Sequence, residues 1–126
     1  MNLKDYFEKA QGLGVLATAD SEGKVDVAVY SRPHVMDADT VAFVMRDRLT
    51  HHNLQSNPHA AYLFKEGGGK YVGKRLFLTK IREEQDSDLA YQLRRRTYPD
   101  DKKEPLFLVF FRIDQNLPLI GPGGDD

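Results

Sequence analysis

The feature that most constrains the fold is the apolar run LFLVFFRI at residues 106–113. A strand with one face in water alternates apolar and polar residues, whereas Phe107 to Phe111 are apolar at every position. Both faces of this strand should therefore be shielded from water. We expect one face to pack on the core of the chain and the other to meet a partner subunit.

Turn-bounded apolar segments predict the other strands. The alternation of Val25, Val27 and Val29 after the turn at 20–23 is typical of a half-buried strand in a hairpin. The predicted strands lie at 13–19, 25–30, 31–36, 41–45, 60–65, 71–83 and 106–113. Short helices are predicted at about 3–11 with Asn2 as the N-cap, after Thr50, and after an N-cap at Asp86 or Ser87 with a stop at Pro99. About six strands with two or three short helices indicate one α+β domain over residues 1–126, a compact antiparallel barrel.

The composition excludes several classes of function. The chain has 18 Lys and Arg residues against 19 Asp and Glu residues, so no overall field draws it to nucleic acid or membranes. It has no cysteine, which excludes disulfides, zinc–thiolate sites and a thiol nucleophile. The first residues lack the regions of a signal peptide, and no apolar run approaches the roughly 20 residues of a membrane span. We expect a soluble, cytoplasmic protein.

The segment after Met45 predicts the start of a short helix. Thr50 is a residue type that caps helices, and Asn57-Pro58 closes the segment. If Thr50 is the N-cap, Leu49 and Leu54 stand at the two positions of a hydrophobic staple. The helix would then begin with unpaired backbone N–H groups beside a cationic turn.

That cationic turn predicts an anion site. Arg46, Arg48 and His51 surround the expected helix start, where positive side chains and backbone donors favour a phosphate. The neighbouring strand carries the polar stretch Ser31-Arg32-Pro33, which a core strand would not. The alternative is that the turn is simply a solvated loop.

Three other motifs have simpler interpretations. The segment GGKYVGK at 68–74 has P-loop spacing, but Arg75 replaces the required Ser or Thr and a strand follows, so we predict a hairpin connection. The arginines at 94–96 stand among carboxylates, which favours a solvated helix face over a nucleic-acid site. The four histidines lack the spacing of a metal-binding pair, and no nucleophile motif is evident, so we predict no metal and assign no catalytic residue.

With these parts in order, the chain resembles the pyridoxamine 5'-phosphate oxidase-like family of FMN-binding split barrels over roughly residues 3–120. The matching segments are GVLATADSEGKVDVAVY, VAFVMRDRLTHHNLQSNPHAAYLF, YVGKRLFLTKI and LFLVFFRI. The resemblance implies a six-stranded antiparallel split β-barrel of Greek-key type. It also implies a homodimer that binds FMN at the subunit interface.

The resemblance also implies the site residues. The matching positions are Tyr30, Ser31, Arg32, Pro33, Val44, Met45, Arg46, Arg48, Thr50 and His51. The first four would run alongside the isoalloxazine ring, the next two would face it from the adjacent strand, and the last four would form the phosphate-binding turn. Arg32 is the candidate for a positive group near the pyrimidine end. Family oxidases tend to have an Arg-Lys pair where this chain has Leu49 and Thr50, so the two arginines of the turn would supply the charge.

The family's oxidases of vitamin B6 phosphates are longer and end in a basic strand, whereas this chain ends in LPLIGPGGDD. We therefore expect a small FMN-dependent oxidoreductase or flavin reductase that uses a nicotinamide cofactor, a small-molecule substrate or an electron carrier. The alternatives are a haem- or deazaflavin-binding barrel and a ligand-binding module without turnover.

Overall fold

Seven antiparallel strands and three short helices form the part of the chain that the computed structural model describes, residues 2–95 and 104–122. The helices are α1 (Leu3–Lys9), α2 (Leu49–Ser56) and α3 (Asp88–Leu93). The strands are β1 (Gly12–Ala19), β2 (Val25–Val29), β3 (His34–Val35), β4 (Thr40–Arg46), β5 (His59–Glu66), β6 (Gly73–Gln85) and β7 (Leu106–Pro118).

All described strands belong to one sheet with the order β2-β1-β5-β6-β7-β4-β3. The antiparallel α+β class is confirmed, but the sheet has seven strands and is open, so it differs from the six-stranded barrel that the resemblance implies. The strand predicted at 31–36 is reduced to His34–Val35. Pro33 stands just before it and has no N–H to donate to a ladder.

The sheet curves around one main core. Tyr30, just beyond β2, packs edge-on against Phe43 of β4, with 5.9 Å between ring centroids, so the two ends of the sheet approach each other. Helix α1 contributes Phe7, whose ring lies 5.5 Å from that of Phe64 and 6.3 Å from that of Tyr62. These aromatic contacts bring the segment after β2 close to β4, where the candidate site lies.

Strand β7 is buried on both faces, as its sequence predicted. Its odd-numbered side chains from Phe107 to Phe111 lie in the main core, and its even-numbered ones from Leu106 to Phe110 form a second cluster with Ala42 and Ala90. Helix α3 supplies Ala90 and covers this second face from within the chain. The expectation that a partner subunit must cover β7 is therefore wrong.

The ends of two helices confirm the sequence interpretation. The Asn2 side chain accepts from the Asp5 N–H at 2.8 Å, and the Ser87 hydroxyl accepts from the Ala90 N–H at 3.1 Å. Each of these caps satisfies a backbone donor that the first helical turn leaves unpaired. The predicted stop at Pro99 lies outside the described residues.

Helix α2 begins earlier than predicted. Its N-cap is Arg48, which makes no side-chain cap bond, and Thr50 lies within the first turn. The Thr50 hydroxyl is buried and donates to Asp26 Oδ2 at 3.4 Å, so it is not available to cap the helix. The staple is also wrong, because Leu49 is the first helical residue and is 56% exposed. The segment at 67–72 connects β5 to β6, which confirms the hairpin connection.

Candidate functional site

A cavity of about 460 Å³ lies between β4, the segment after β2 and the end of α3. Its volume falls within the range of about 300–1,000 Å³ that is usual for small-molecule sites. The lining residues are Ala28, Val29, Tyr30, Ser31, Arg32, His34, Phe43, Val44, Met45, Arg46, Arg48, Thr50, Arg94, Arg95 and Leu106. Among the described residues, no carboxylate lines this cavity.

Most of the residues that the sequence pointed to meet at this cavity. Tyr30, Ser31, Arg32, Val44, Met45, Arg46, Arg48 and Thr50 line it, whereas Pro33 and His51 do not. Pro33 is fully buried, and the His51 ring lies between Asp47 and Glu83. Val44 and Met45 point to opposite sides of β4, so the Met45 side chain lies in the core and Val44 presents its side chain away from it.

The segment after β2, which includes Tyr30 and Ser31, forms one wall of the cavity and is hydrogen-bonded to β1 and β5. The Tyr30 N–H donates to the Gly14 carbonyl at 3.0 Å, and the Tyr62 hydroxyl donates to the Ser31 carbonyl at 3.1 Å. Gly14 allows this approach, because a Cβ there would overlap both the Tyr62 hydroxyl and the Tyr30 carbonyl. The wall is therefore fixed to β1 and β5, and the cavity is largely preformed.

The cationic turn forms one end of the cavity. Arg46 Nη1 donates to the Glu104 carbonyl at 3.2 Å, and Arg48 Nη2 donates to the Glu104 carboxylate at 2.8 Å. The Arg48 side chain is 63% exposed, so an anionic ligand can compete with Glu104 for it. Beside the turn, burial raises the pKa of the Tyr30 hydroxyl; a hydrogen bond with Thr50 lowers it, and the Asp26 charge raises it further.

A second cationic group, formed by Arg32, Arg94 and Arg95, lies at another part of the cavity lining. Arg95 Nη2 is 3.5 Å from His34 Nδ1, and Arg32 Nη1 donates to the Phe7 carbonyl at 2.9 Å and the Ala10 carbonyl at 3.0 Å. Burial lowers the pKa of His34 to about 4, with the charges of Arg95 and Arg32 acting in the same direction. His34 is therefore neutral at pH 7, and the arginines carry the positive charge here.

The sequence interpretation named Arg32 but missed the arginines that follow α3. Arg94 and Arg95 follow the last residue of α3 and line the cavity, so they do not lie on a helix face as predicted, although Arg95 is exposed. Arg96 lies outside the described residues. The run of arginines was visible, but nothing in the local sequence showed that α3 ends beside His34. Ala28, Val29, Phe43 and Leu106 were missed because apolar residues in strands carry no functional signal.

Two features are absent from the described residues. Within residues 2–95 and 104–122, no three His, Asp or Glu side chains are placed to hold a metal ion. No helix in those same ranges is long and apolar enough to cross a bilayer.

The cavity combines apolar strand surface with two groups of cations. That combination suits an elongated, partly apolar ligand with negative charge.

Several solved structures share this fold. An FMN-binding protein from Syntrophomonas wolfei subsp. wolfei matches with a TM-score of 0.78 at 18% identity, over 97% of this chain and 86% of its own. An F420 reductase matches with a TM-score of 0.67 at 17% identity, over 89% and 94%. A pyridoxamine 5'-phosphate oxidase-like protein from Lactobacillus delbrueckii matches with a TM-score of 0.67 at 18% identity, over 93% and 92%. No protein-family model and no curated protein sequence matches the chain.

These similarities confirm the resemblance at the level of the fold. The chain has the architecture of the pyridoxamine 5'-phosphate oxidase-like split barrels, and its structural neighbours include proteins that bind FMN or are named for F420. At these identities the likeness shows the fold alone, and the ligand of each neighbour remains a property of that neighbour.

Proposed function

We propose that this protein binds FMN in the cavity and acts as a flavin-dependent oxidoreductase. The observation that carries the proposal is the placement of Arg46, Arg48 and Thr50 at one end of a preformed cavity whose wall includes Val44 and the Tyr30-Ser31 segment. Guanidinium groups suit phosphate because they donate planar, charge-assisted hydrogen bonds. The apolar strand surface suits a flat ring system.

In this proposal the protein binds and orients, and bound FMN supplies the electron-transfer chemistry. Arg46 and Arg48 hold the phosphate, the Val44 side chain contacts the ring, and the backbone of Tyr30 and Ser31 forms the fixed wall. None of these residues transfers a proton, so we assign no catalytic acid or base. Because the wall is tied to β1 and β5, binding requires little reorganisation.

The second cationic group indicates the substrate class. Arg95 and Arg32 contact no carboxylate among residues 2–95 and 104–122, yet both line the cavity. We infer that they attract an anionic electron donor or acceptor, such as a reduced nicotinamide cofactor or a small acid. Arg95→Ala should then raise the KM for the anionic substrate and leave FMN affinity nearly unchanged.

We also propose that the protein is a homodimer with FMN at the subunit interface. The support comes from β2 rather than β7. Val25, Val27 and Val29 are 82%, 67% and 68% exposed, and Val29 also lines the cavity. A row of exposed valines is unusual on a monomer surface. A second subunit seated on this row would bury it and cover the open side of the cavity.

The dimer is tested by changing the middle valine. Val27→Asp should shift the sedimentation coefficient from dimer to monomer and weaken FMN binding. Ile120→Asp is the matched control, because Ile120 is equally exposed at 67% but lies beyond β7. A wild-type protein that sediments as a folded monomer at micromolar concentration would exclude the dimer.

The cofactor is tested by its absorbance and by titration. The purified protein should show a flavin spectrum, or after removal of any chromophore should bind one FMN per chain with quenching of flavin fluorescence. Mass spectrometry of the released chromophore then distinguishes FMN from other groups. A protein that neither carries flavin nor binds it at micromolar concentration would overturn the proposal. Binding without any turnover would instead identify a non-catalytic ligand-binding module.

One alternative cofactor has a specific observation in its favour. A deazaflavin with an extended anionic tail would use both cationic groups of the cavity, and one structural neighbour is an F420 reductase. The chromophore spectrum separates this alternative from FMN. The haem alternative has less support, since His34, the histidine among the described lining residues, already contacts Arg95.

A further inference from the structure

A residue in an uncommon backbone conformation stands where β6 passes into α3. Asp86 has a φ of 54°, and it is the one non-glycine residue with a positive φ that the described part of the chain contains. Aspartate enters this left-handed region more readily than most residues, yet the conformation still costs free energy. Asp86 was a possible N-cap of α3 in the sequence, but Ser87 is the cap. The Asp86 side chain is therefore free to make other contacts.

Those contacts bracket the first residue of β7. The Asp86 N–H donates to the Leu106 carbonyl at 2.7 Å, and the Leu106 N–H donates to Asp86 Oδ1 at 2.9 Å. The Tyr91 hydroxyl of α3 donates to the same Oδ1 at 3.1 Å. The bond from Leu106 is the largest cause of a lowered pKa of Asp86, and the Tyr91 hydroxyl and the Arg46 charge act in the same direction. Asp86 thus joins β6, β7 and α3 at one point near Arg46.

Leu106 connects this bracket to the cavity. It is 2% exposed, lines the cavity and is the partner of Arg46 in the β4–β7 ladder. Both main-chain groups of Leu106 bond to Asp86, so its pair with Arg46 is of the type without hydrogen bonds, in which the two side chains lie closest. Arg46 Nη1 also donates to the carbonyl of Glu104, just before β7. The start of β7 is therefore the surface on which the Arg46 side chain lies.

We propose that Asp86 is a positioning residue for the end of the cavity formed by the cationic turn. By bracketing Leu106 it fixes the start of β7, and the start of β7 holds the Arg46 guanidinium where a phosphate binds. Asp86 is exposed, so its charge is screened and the hydrogen bond to Leu106 carries the effect. This inference rests on the proposed FMN function of the turn and adds a residue that does not line the cavity.

The first experiment measures the Kd of FMN and of riboflavin, which lacks the phosphate, for wild-type protein, Asp86→Gly and Asp86→Asn. Glycine keeps the left-handed backbone and removes the carboxylate, whereas asparagine keeps an acceptor oxygen and removes the charge. Asp86→Gly should weaken FMN binding about threefold to tenfold and leave riboflavin binding nearly unchanged. Asp86→Asn should follow wild type. The proposal is overturned if Asp86→Gly affects both ligands alike or neither, or if Asp86→Asn loses as much FMN affinity as Asp86→Gly.

Asp20→Gly is the matched control. The Asp20 N–H donates to the Lys24 carbonyl at 2.9 Å, and the Lys24 N–H donates to Asp20 Oδ1 at 2.9 Å, so the same bracket occurs in the turn between β1 and β2. Asp20 does not line the cavity. Asp20→Gly should lower the urea midpoint without changing the ratio of the FMN and riboflavin Kd values. A change in that ratio as large as that of Asp86→Gly would show a general loss of stability and contradict a positioning role.

A double-mutant cycle tests whether Asp86 acts through Arg46. Arg46→Ala alone is compared with the double variant Asp86→Gly and Arg46→Ala in the same FMN titration. Once the Arg46 side chain is absent, removing the Asp86 carboxylate should cause no further loss of FMN affinity. Two losses that simply multiply would show that Asp86 does not act through Arg46.

NMR separates this proposal from the proposed function. In the absence of ligand, Asp86→Gly should shift the Arg46 Nε resonance, and an unchanged resonance would refute the positioning role even if wild-type protein binds no FMN. If Asp86→Gly does not fold, wild-type protein supplies the test. FMN, but not riboflavin, should then shift both the Arg46 Nε resonance and the Leu106 amide resonance, and a Leu106 amide that does not respond to FMN would exclude the link.

Discussion

Replacing Arg48 with Ala tests the phosphate end of the cavity most directly. Arg48 donates to Glu104 at 2.8 Å and 3.1 Å, and its side chain is 63% exposed. A charge-assisted bond to phosphate contributes about 1.5–3 kcal/mol, and an exposed ion pair that must first be broken costs about 0–1 kcal/mol. The net loss on Arg48→Ala is then about 0.5–3 kcal/mol, or roughly twofold to 150-fold in Kd.

The assay is a fluorescence titration with FMN and with riboflavin, which lacks the phosphate. Arg112→Ala is the matched control, because Arg112 also donates to a carboxylate at 2.8 Å and is 58% exposed but does not line the cavity. Arg48→Ala should weaken FMN binding and leave riboflavin binding unchanged, and Arg112→Ala should change neither.

Glu104→Gln supplies the opposite perturbation. It releases the Arg48 guanidinium from a competing carboxylate, so FMN should bind up to about fivefold more tightly. The reasoning would be refuted if wild-type protein bound FMN and riboflavin equally well, or if Arg48→Ala weakened both ligands alike. In either case the turn would be a solvated loop.

Three further predictions concern the scaffold. Gly14→Ala should lower stability and FMN affinity, because the new Cβ overlaps the Tyr62 hydroxyl, and adding Tyr62→Phe should restore part of the stability in a urea titration. Ala90→Glu should destabilise the monomer by about 2 kcal/mol or more, because it buries a charge against β7. A urea midpoint that does not change would show that α3 does not cover that strand. Burial raises the pKa of Glu83, but hydrogen bonds from Lys80, Gln55 and His51 outweigh it and lower the pKa to about 2. The Glu83 carboxylate thus contributes stability that is complete above its ordinary pKa of 4.5 and lost as pH falls toward 2, and Glu83→Gln should flatten that part of the acid-unfolding curve.

Local sequence was a good guide to the elements. The alternation at 25–29 and the continuous apolar run of β7 predicted strands that the structure contains. The run of β7 is buried on both faces as predicted, whereas the valines of β2, predicted to lie on a buried face, are exposed within the chain. The cap at Ser87 was also visible, since capping involves residues only three positions apart. Most of the predicted site residues met at the cavity because they lie on adjacent segments around β4.

Tertiary structure decided the features that depend on distant partners. The pattern of β7 required a cover for its second face but could not say whether α3 or another subunit supplied it. The hydroxyl of Thr50 donates to Asp26 instead of capping α2. Because Asp26 is 24 residues away in sequence, only the fold brings its carboxylate to Thr50. Arg95 lies at the cavity beside His34 of β3, and the His51 ring contacts Glu83 of β6, because these partners come from segments that are remote in sequence. Sequence by itself therefore determined the pattern of strands and helices and the placement of charge along the chain, and the packing of remote segments decided which of these residues are buried and what each of them contacts.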